Sequence, residues 1–264
     1  MSNGAQPRVV AIVQARMGSS RLPGKVMKRL GQKTVLAHCL ERCKAVPGVD
    51  EVVCATVDTP DCDPIAQEAE RLGCSVFRGD ESDVLSRYVG AARAARADIV
   101  LRVTSDCPVI DPRVCGAVVD ALLGHDADFA TNNAPPSFPH GMDVEAVRAD
   151  VLEAALRKEP TDHDREHVMP AVRRNPELKK LNVHLPQDLV AHTLRWTLDT
   201  DADLAFFEAL EKAMPGLPAC EWPVMAEVCR ATPGLSELCA AGGSSDTRQN
   251  RFDGFEQITY PLAV

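Results

Sequence analysis

Mainly apolar runs in the first half of the chain constrain its fold most strongly. Val9–Val13, 51–57 and Ile99–Val103 are runs of this kind, and they are typical of strands buried on both faces of a parallel sheet. Asp63-Pro64 after the second run and Asp111-Pro112 after the third are typical helix starts, with proline in the first turn. The alternation predicts an α/β fold with a mostly parallel sheet and helices on both faces.

The remaining pattern gives a coarse map of the chain. We predict helices over 34–45, 63–72, 82–92, 111–123, 150–158, 201–214 and 222–231, and further strands over 75–77, 127–131, 142–147, 181–185 and 192–198. The pattern changes at Asn132, where a proline-rich loop begins. We therefore expect a single domain over 1–264, with an insertion at about 132–191 and a mobile tail over 240–264.

Composition excludes several classes of protein. The net charge of −9 and the aromatic content of 4% are unlike those of a general nucleic-acid binder. No apolar run approaches the length of a membrane span, and no secretory signal pattern is present. The ten cysteines include no C-x-x-C pair, so we interpret them as small core residues of a reducing compartment. We expect a cytoplasmic protein that contacts neither nucleic acid nor membrane.

A basic segment follows the first predicted strand. The first forty residues contain seven Lys or Arg and no Asp or Glu, and the first acid is Glu41. Cations, hydroxyls and backbone N–H groups at a strand's carboxyl end suit a polyphosphate. The segment is not a Walker A loop, because five residues separate Gly18 from Gly24 and because Val26 follows Lys25. A transit peptide or an ordinary surface loop is the less favoured alternative.

The stretch IVQARMGSSRLPGKVM resembles the signature loop of the CTP-dependent nucleotidyltransferases that activate acidic sugars. This family includes the acylneuraminate and 3-deoxy-manno-octulosonate cytidylyltransferases and a spore-coat polysaccharide synthesis branch. The resemblance implies a three-layer, Rossmann-like nucleotidyltransferase fold with a small inserted α+β arm, CTP as a partner, and a homodimer. It also implies that the loop binds the nucleotide through Gln14, Ala15, Arg16, Gly18, Ser19, Ser20, Arg21 and Lys25. Arg16, Arg21 and Lys25 would be catalytic, because they would hold the phosphates.

Two aspartates follow predicted strands. Asp106 lies in TSDCP, and Asp199 lies in LDTDADL. From the residues alone, Asp106 could cap a turn and Asp199 or Thr200 could cap a helix. The resemblance implies instead that both aspartates hold Mg²⁺ and that Asp106 is catalytic. Two carboxylates with triphosphate oxygens and water would form an ordinary Mg²⁺ site.

Three further segments resemble the family's motifs. RGDESDVLSRY implies that Arg78, Asp80 and Ser82 contact the nucleotide, although Ser82 could equally cap a helix. HGMDVEAV would border the acceptor through Asp143 and Glu145, and DREHVMPAVRRNP would border the acceptor or a dimer contact, with Arg165, Glu166 and His167 as acceptor candidates. A solvated helix face for Arg165 and Glu166, and a packed interior histidine for His167, are the alternatives.

These observations predict an Mg²⁺-dependent enzyme that transfers CMP from CTP to a small acidic acceptor and releases pyrophosphate. A nonulosonic-type sugar for surface polysaccharide synthesis is the expected acceptor. Two alternatives stay open at this point: a nucleotide-sugar-dependent glycosyltransferase of related architecture, and a non-catalytic nucleotide-binding subunit.

Overall fold

The computed structural model describes residues 6–189, 191–241 and 254–261. The strands are β1 (Val9–Gln14), β2 (Arg29–Leu30), β3 (Lys33–Thr34), β4 (Glu51–Val57), β5 (Ser75–Gly79), β6 (Ile99–Thr104), β7 (Phe129–Thr131), β8 (Glu145–Arg148), β9 (Lys180–His184) and β10 (Phe255–Thr259). The helices are α1 (Val35–Lys44), α2 (Asp63–Arg71), α3 (Val84–Ala94), α4 (Pro112–Gly124), α5 (Ala149–Arg157), α6 (Asp162–His167), α7 (Pro170–Arg174), α8 (Asp201–Ala213), α9 (Trp222–Ala231) and α10 (Leu235–Ala241).

Eight strands form one sheet in the order β10-β9-β7-β8-β6-β1-β4-β5. β8 runs antiparallel to both of its neighbours, and the other pairings are parallel. The parallel strands therefore end at a common edge, where ligands of open α/β sheets bind. β2 and β3 form a separate two-stranded hairpin. The mostly parallel sheet agrees with the sequence-based prediction.

Helices cover both faces of the sheet. Apolar residues of α1, α2 and α4 pack on one face, and those of α3 and α5 pack on the other. A third apolar cluster joins α8, α9 and α10 to Leu22 and Val35 beside the sheet. Side chains cap several helices where the sequence predicted their starts, since Thr34 accepts a hydrogen bond from the Ala37 amide and Asp111 from the Arg113 amide. Among the described residues, no helix is both long and apolar enough to cross a lipid bilayer.

The segment predicted as an inserted arm, about 132–191, supplies strands to the central sheet. β8 lies between β6 and β7, and β9 extends the sheet beyond β7. Its helices α5, α6 and α7 contact one another and α3. The segment therefore helps to build the face of the sheet on which α3 lies.

The predicted strand over 192–198 is wrong. The Leu198 amide donates to the Asp106 carbonyl (2.9 Å), and the Trp196 amide donates to the His140 carbonyl (2.6 Å). Apart from one bridge between His140 and Arg195, the segment has no strand partner. The strand that pairs with β9 on the side away from β7 is β10.

The expectation of a mobile tail over 240–264 needs correction at its centre. Phe255–Thr259 is β10, which pairs in parallel with β9. The Phe255 ring packs edge-on against Phe129, with centroids 6.0 Å apart, and this apolar contact fixes the strand. Residues 242–253 and 262–264, which belong to the same prediction, lie outside the described residues.

Candidate active site

The basic loop begins where β1 ends, at the carboxyl edge of the sheet. Leu22 is buried in the cluster with α8 and α9, which anchors the middle of the loop. Gly24 closes the loop with a φ of 64°, in the left-handed region that favours glycine. Its amide donates to the Met17 carbonyl (3.1 Å). The turn presents Lys25 to the carboxyl edge.

Lys25 joins the two predicted aspartates. Its Nζ lies 2.6 Å from Asp106 Oδ2 and 2.9 Å from Asp199 Oδ1, and only 14% of its side chain is exposed. Burial alone would lower the pKa of Lys25, but the two carboxylates outweigh burial and raise that pKa. The ammonium is therefore charged at neutral pH. Three groups that are far apart in sequence meet at one point.

Asp199 is held in place by groups that the sequence prediction missed. Arg195 Nη2 lies 2.9 Å from Asp199 Oδ2, and Arg195 Nε lies 2.9 Å from Asp203 Oδ1. Asp203 also completes a capping box with Thr200 at the start of α8. Burial alone would raise the pKa of Asp199, but hydrogen bonds from Lys25 and Arg195 outweigh it and lower that pKa. Asp199 is therefore an ionised carboxylate with a fixed orientation.

A cleft of about 290 Å³ opens beside these residues. Its lining contains all eight predicted nucleotide contacts of the basic loop and both predicted metal ligands: Gln14, Ala15, Arg16, Gly18, Ser19, Ser20, Arg21, Lys25, Asp106 and Asp199. The guanidinium of Arg21 also reaches Asp199 Oδ1 (3.2 Å). The structure thus brings the basic loop and the two carboxylates into one concave site, as the motifs predicted.

The predicted nucleotide contacts in and after β5 lie outside the lining of this cleft. Arg78 Nη2 pairs with Asp63 Oδ1 (2.7 Å). The Asp80 carboxylate accepts hydrogen bonds from the amides of Ser82 and Asp83 (both 2.8 Å). These contacts organise the turn before α3, whose N-cap is Asp83. Contacts of Arg78, Asp80 and Ser82 with a nucleotide stay predictions.

The predicted acceptor residues separate into two groups. Glu166 and His167 line the cleft. Asp143 pairs with His140 Nδ1 (3.0 Å) and Arg165 pairs with Asp83, both outside the lining. Burial and the nearby positive charges of His163 and Arg102 lower the pKa of His167, although the Glu166 carboxylate opposes them. His167 is therefore neutral at neutral pH.

Glu145 requires a correction, because it does not line the cleft as predicted. Only 6% of its side chain is exposed, and its carboxylate lies between the guanidinium groups of Arg102 and Arg173. Burial alone would raise the pKa of Glu145, but the two arginines outweigh burial and lower it. Glu145 is therefore a buried, ionised partner of two arginines.

Arg102 and Arg87 line the cleft although the sequence prediction did not include them. Arg102 interrupts the apolar run of β6. Because a charged residue is rarely buried without a partner, its position in a buried strand could have marked it as a site residue from the sequence. Arg87 is buried, and it has no carboxylate within ion-pair distance among the described residues. Burial lowers the pKa of Arg87. The remaining lining residues are Val26, Val84, Thr104 and Ser105.

The donor set of the site fits the implied Mg²⁺. The carboxylates of Asp106 and Asp199 converge on a single cationic atom, Lys25 Nζ, so their arrangement already accommodates positive charge. Carboxylate oxygens are ligands that Mg²⁺ prefers, and substrate phosphates usually complete its coordination. Within the described ranges, no group of three or more His, Cys, Asp or Glu residues is arranged for a metal. The site thus suits an ion shared with a phosphate.

Comparison with known proteins gives consistent matches. A family model described as cytidylyltransferase matches residues 10–217. The spore coat polysaccharide biosynthesis protein SpsF of Bacillus subtilis is 32% identical over 209 residues, covering 76% of this chain and 85% of that protein. A 3-deoxy-manno-octulosonate cytidylyltransferase of Anaeromyxobacter sp. is 38% identical over 119 residues, covering 44% of this chain and 48% of that protein. The structure of a cytidylyltransferase from Leptospira borgpetersenii superposes with a TM-score of 0.81 at 31% identity, covering 89% of this chain and 98% of that one.

Proposed function

Because the chain belongs to the cytidylyltransferase family, we propose that it transfers CMP from CTP to a small acidic acceptor with release of pyrophosphate. The acceptor that we propose is a nonulosonic-type sugar used in surface polysaccharide synthesis. Two relatives support this choice, since one is named for spore coat polysaccharide biosynthesis and the other for 3-deoxy-manno-octulosonate. The observation that carries the proposal is the convergence of Lys25, Asp106 and Asp199 beside the basic loop.

The chemistry needs positioning and charge stabilisation more than a protein nucleophile. CTP is a polyanion and the acceptor is an anion, so their approach requires cations around the reacting phosphate. Arg16, Arg21 and Lys25 lie in the cleft lining at the end of β1. We assign the triphosphate to these three residues and to the hydroxyls of Ser19 and Ser20. Holding the acceptor oxygen in line with the phosphate would supply the rest of the rate enhancement.

We assign Mg²⁺ to Asp106 and Asp199. When bound, Mg²⁺ would neutralise phosphate charge and polarise a phosphoryl oxygen. Arg195 and Asp203 keep the Asp199 carboxylate oriented, as the outer groups of metal sites usually do. A homodimer is a further expectation from the family, which analytical ultracentrifugation of the full chain would test.

The experiment has two stages. First, thermal shift is measured with Mg²⁺ and each of CTP, UTP, ATP, GTP and a UDP-sugar, and CTP should give the largest shift. A larger shift with the UDP-sugar would instead support a glycosyltransferase. Second, pyrophosphate release with CTP is measured over a panel of acidic sugars that includes 3-deoxy-manno-octulosonate and N-acetylneuraminate. Binding of CTP without release on any acceptor would favour a non-catalytic subunit.

A further inference from the structure

We propose that Arg102 binds the carboxylate of the acceptor, and that Glu145 and Arg173 are positioning residues that orient it. This inference rests on the proposed function, because it concerns the acidic acceptor of the same cleft. It names the group that would distinguish an acidic acceptor from a neutral one.

Arg102 is fixed on a rigid element and still has free donors. It lies on β6, between β1 and β8, and 18% of its side chain is exposed in the cleft. Nη1 donates to Glu145 Oε2 (2.5 Å) and Nη2 donates to Gln14 Oε1 (3.3 Å). Nε is buried and has no hydrogen-bond partner among the described residues. A guanidinium has five N–H groups, so donors remain for a ligand.

The ion pairs behind Arg102 leave an excess of positive charge. Glu145 Oε1 accepts from Nη2 (2.7 Å) and Nε (3.0 Å) of Arg173, while Oε2 accepts from Arg102. Arg173 stacks over Phe129 with its Cζ 5.5 Å from the ring centroid, and this contact holds it in place. Two guanidinium groups thus share one carboxylate. Because burying unpaired charge is costly, an anionic ligand at Arg102 would complete the arrangement.

Arg102 lies on a different element from the cations that we assign to the triphosphate, because it belongs to β6 and they belong to the loop after β1. Arg102 and Val100 lie on the same face of β6, and Val100 packs in the cluster with α3. The basic loop is anchored instead by Leu22 in the cluster with α8. Glu166 and His167, at the end of α6, complete the lining on the α3 side. Besides the cations of the loop, the cleft therefore contains an arginine on β6 that is available for a second anion.

Among anions, a carboxylate suits the guanidinium group of Arg102 best. The guanidinium is planar and matches a carboxylate through two parallel N–H donors. Since Glu145 already takes one edge of Arg102, a single carboxylate at the remaining donors is a closer match than a polyphosphate. Glu166 beside it could accept hydrogen bonds from sugar hydroxyls but would repel further negative charge.

The test compares Arg102→Gln and Arg102→Lys with a matched control, Arg93→Gln, on the exposed face of α3 where Arg93 pairs with Glu153. Pyrophosphate release is measured with CTP and with 3-deoxy-manno-octulosonate, N-acetylneuraminate and the carboxamide of each. For R102Q, we expect the acceptor KM to rise about 10- to 100-fold, with the CTP KM unchanged and the preference for acid over carboxamide lost. R102K should recover part of the preference, and R93Q should match the wild type.

Glu145→Gln tests the positioning role. It should raise the acceptor KM less than R102Q does and leave the CTP KM unchanged. The thermal shift produced by CTP shows which variants are folded. If R102Q does not fold, the acceptor KM of R102K and its preference for acid over carboxamide test the inference. Wild-type preference for the acid in R102Q, or an equal rise of both KM values, would overturn the inference while the proposed function stands. Absence of release by the wild type on every acid would overturn the proposed function and the inference with it.

Discussion

The ammonium group of Lys25 connects three parts of the chain. The loop after β1 supplies the ammonium, the end of β6 supplies Asp106, and the segment before α8 supplies Asp199. The two carboxylates raise the pKa of Lys25 in spite of burial, so the lysine carries its charge where phosphate is expected. The proposed transfer of CMP therefore depends on three side chains that hold one another in place, Lys25, Asp106 and Asp199.

Lys25→Met should lower kcat/KM by about 10²- to 10³-fold, because a positioned cation next to the reacting phosphate is removed. Stability should fall by about 1 to 3 kcal/mol, because Asp106 loses its Lys25 partner while Arg21 and Arg195 still pair with Asp199. Pyrophosphate release and urea unfolding measure the two effects. Lys33→Met is the control, because Lys33 pairs with Glu41 away from the cleft. Large destabilisation with retained activity would assign Lys25 a structural role.

Glu145 gives a prediction about pH. Its folded-state pKa is lowered from 4.5 by Arg173 and Arg102, which outweigh burial. Its contribution to stability is therefore complete above pH 4.5 and is lost as the pH falls through the lower folded-state pKa. Glu145→Gln should cost about 3 kcal/mol at neutral pH, and the wild-type and variant curves should converge on acidification.

Urea unfolding between neutral and strongly acidic pH measures this convergence. Glu227→Gln is the control, because Glu227 and its partner Arg230 are exposed on α9. That variant should change the free energy of unfolding by less than about 0.5 kcal/mol at every pH. Parallel wild-type and Glu145→Gln curves would contradict the assignment of Glu145 as an ionised partner of the arginines.

At the scale of elements, the shape of the basic loop depends on its last residue. Gly24 has a φ of 64° immediately before the turn that carries Lys25. Gly24→Ala should cost about 1 to 2 kcal/mol in the left-handed conformation and should weaken CTP binding about tenfold by displacing Lys25. Isothermal titration with CTP and thermal unfolding measure the two effects.

The control for this variant is another glycine. Gly124 ends α4, and a Cβ added there meets no atom within 4 Å. Gly124→Ala should leave CTP binding unchanged and stabilise the protein by up to about 1 kcal/mol. Equal CTP affinity in both alanine variants would show that the conformation of Gly24 does not shape the nucleotide site.

Local sequence patterns predicted the elements whose periodicity was strong. The strand over 51–57 and the helix over 222–231 have the predicted bounds. The segment 192–198 is as apolar as a strand, but its hydrogen bonds go to His140 and Asp106. β10, which was not predicted as a strand, instead takes the edge of the sheet next to β9. Pairing partners depend on competition between distant segments, which local periodicity does not express.

In the candidate site too, local sequence placed some residues correctly, whereas the role of others depends on contacts with distant residues. Asp106 could be placed at the carboxyl edge because it follows a strand that is apolar except at Arg102 and Thr104. The motif likewise placed the basic loop beside it. The role of Glu145 could not be predicted, because its partners Arg102 and Arg173 are 43 and 28 residues away in the chain. A motif identifies which residues matter, whereas contacts decide which of them face the cleft.

At the scale of the whole molecule, the comparisons confirm the resemblance and the fold. The cytidylyltransferase model spans residues 10–217, so α9, α10 and β10 lie beyond the matched region. β10 nevertheless pairs with β9, and its Phe255 ring contacts Phe129 beneath Arg173. The residues after the matched region therefore complete the sheet and support the ion pairs behind the cleft.

Charge is distributed unevenly over this acidic molecule. The chain carries a net charge of −9, but its first forty residues carry seven cations and no carboxylate. CTP binding should therefore weaken as KCl is raised from about 0.05 to 0.5 M, because the Debye length shortens from above 10 Å to below 5 Å. Isothermal titration over this range measures the effect. The affinity for cytidine, which lacks phosphates, should depend little on KCl concentration. If the affinity for CTP depended on KCl no more than the affinity for cytidine does, the phosphates would not contribute to binding through charge.

The hydrogen bond from the Leu198 amide to the Asp106 carbonyl (2.9 Å) connects the backbones next to the two carboxylates. The Thr197 hydroxyl donates to the same oxygen (3.3 Å). The Leu198 N–H can exchange with deuterium only when this bond opens, and opening it separates the segments that carry Asp106 and Asp199. The exchange rate of a single amide therefore reports how often the site comes apart, with no substrate present.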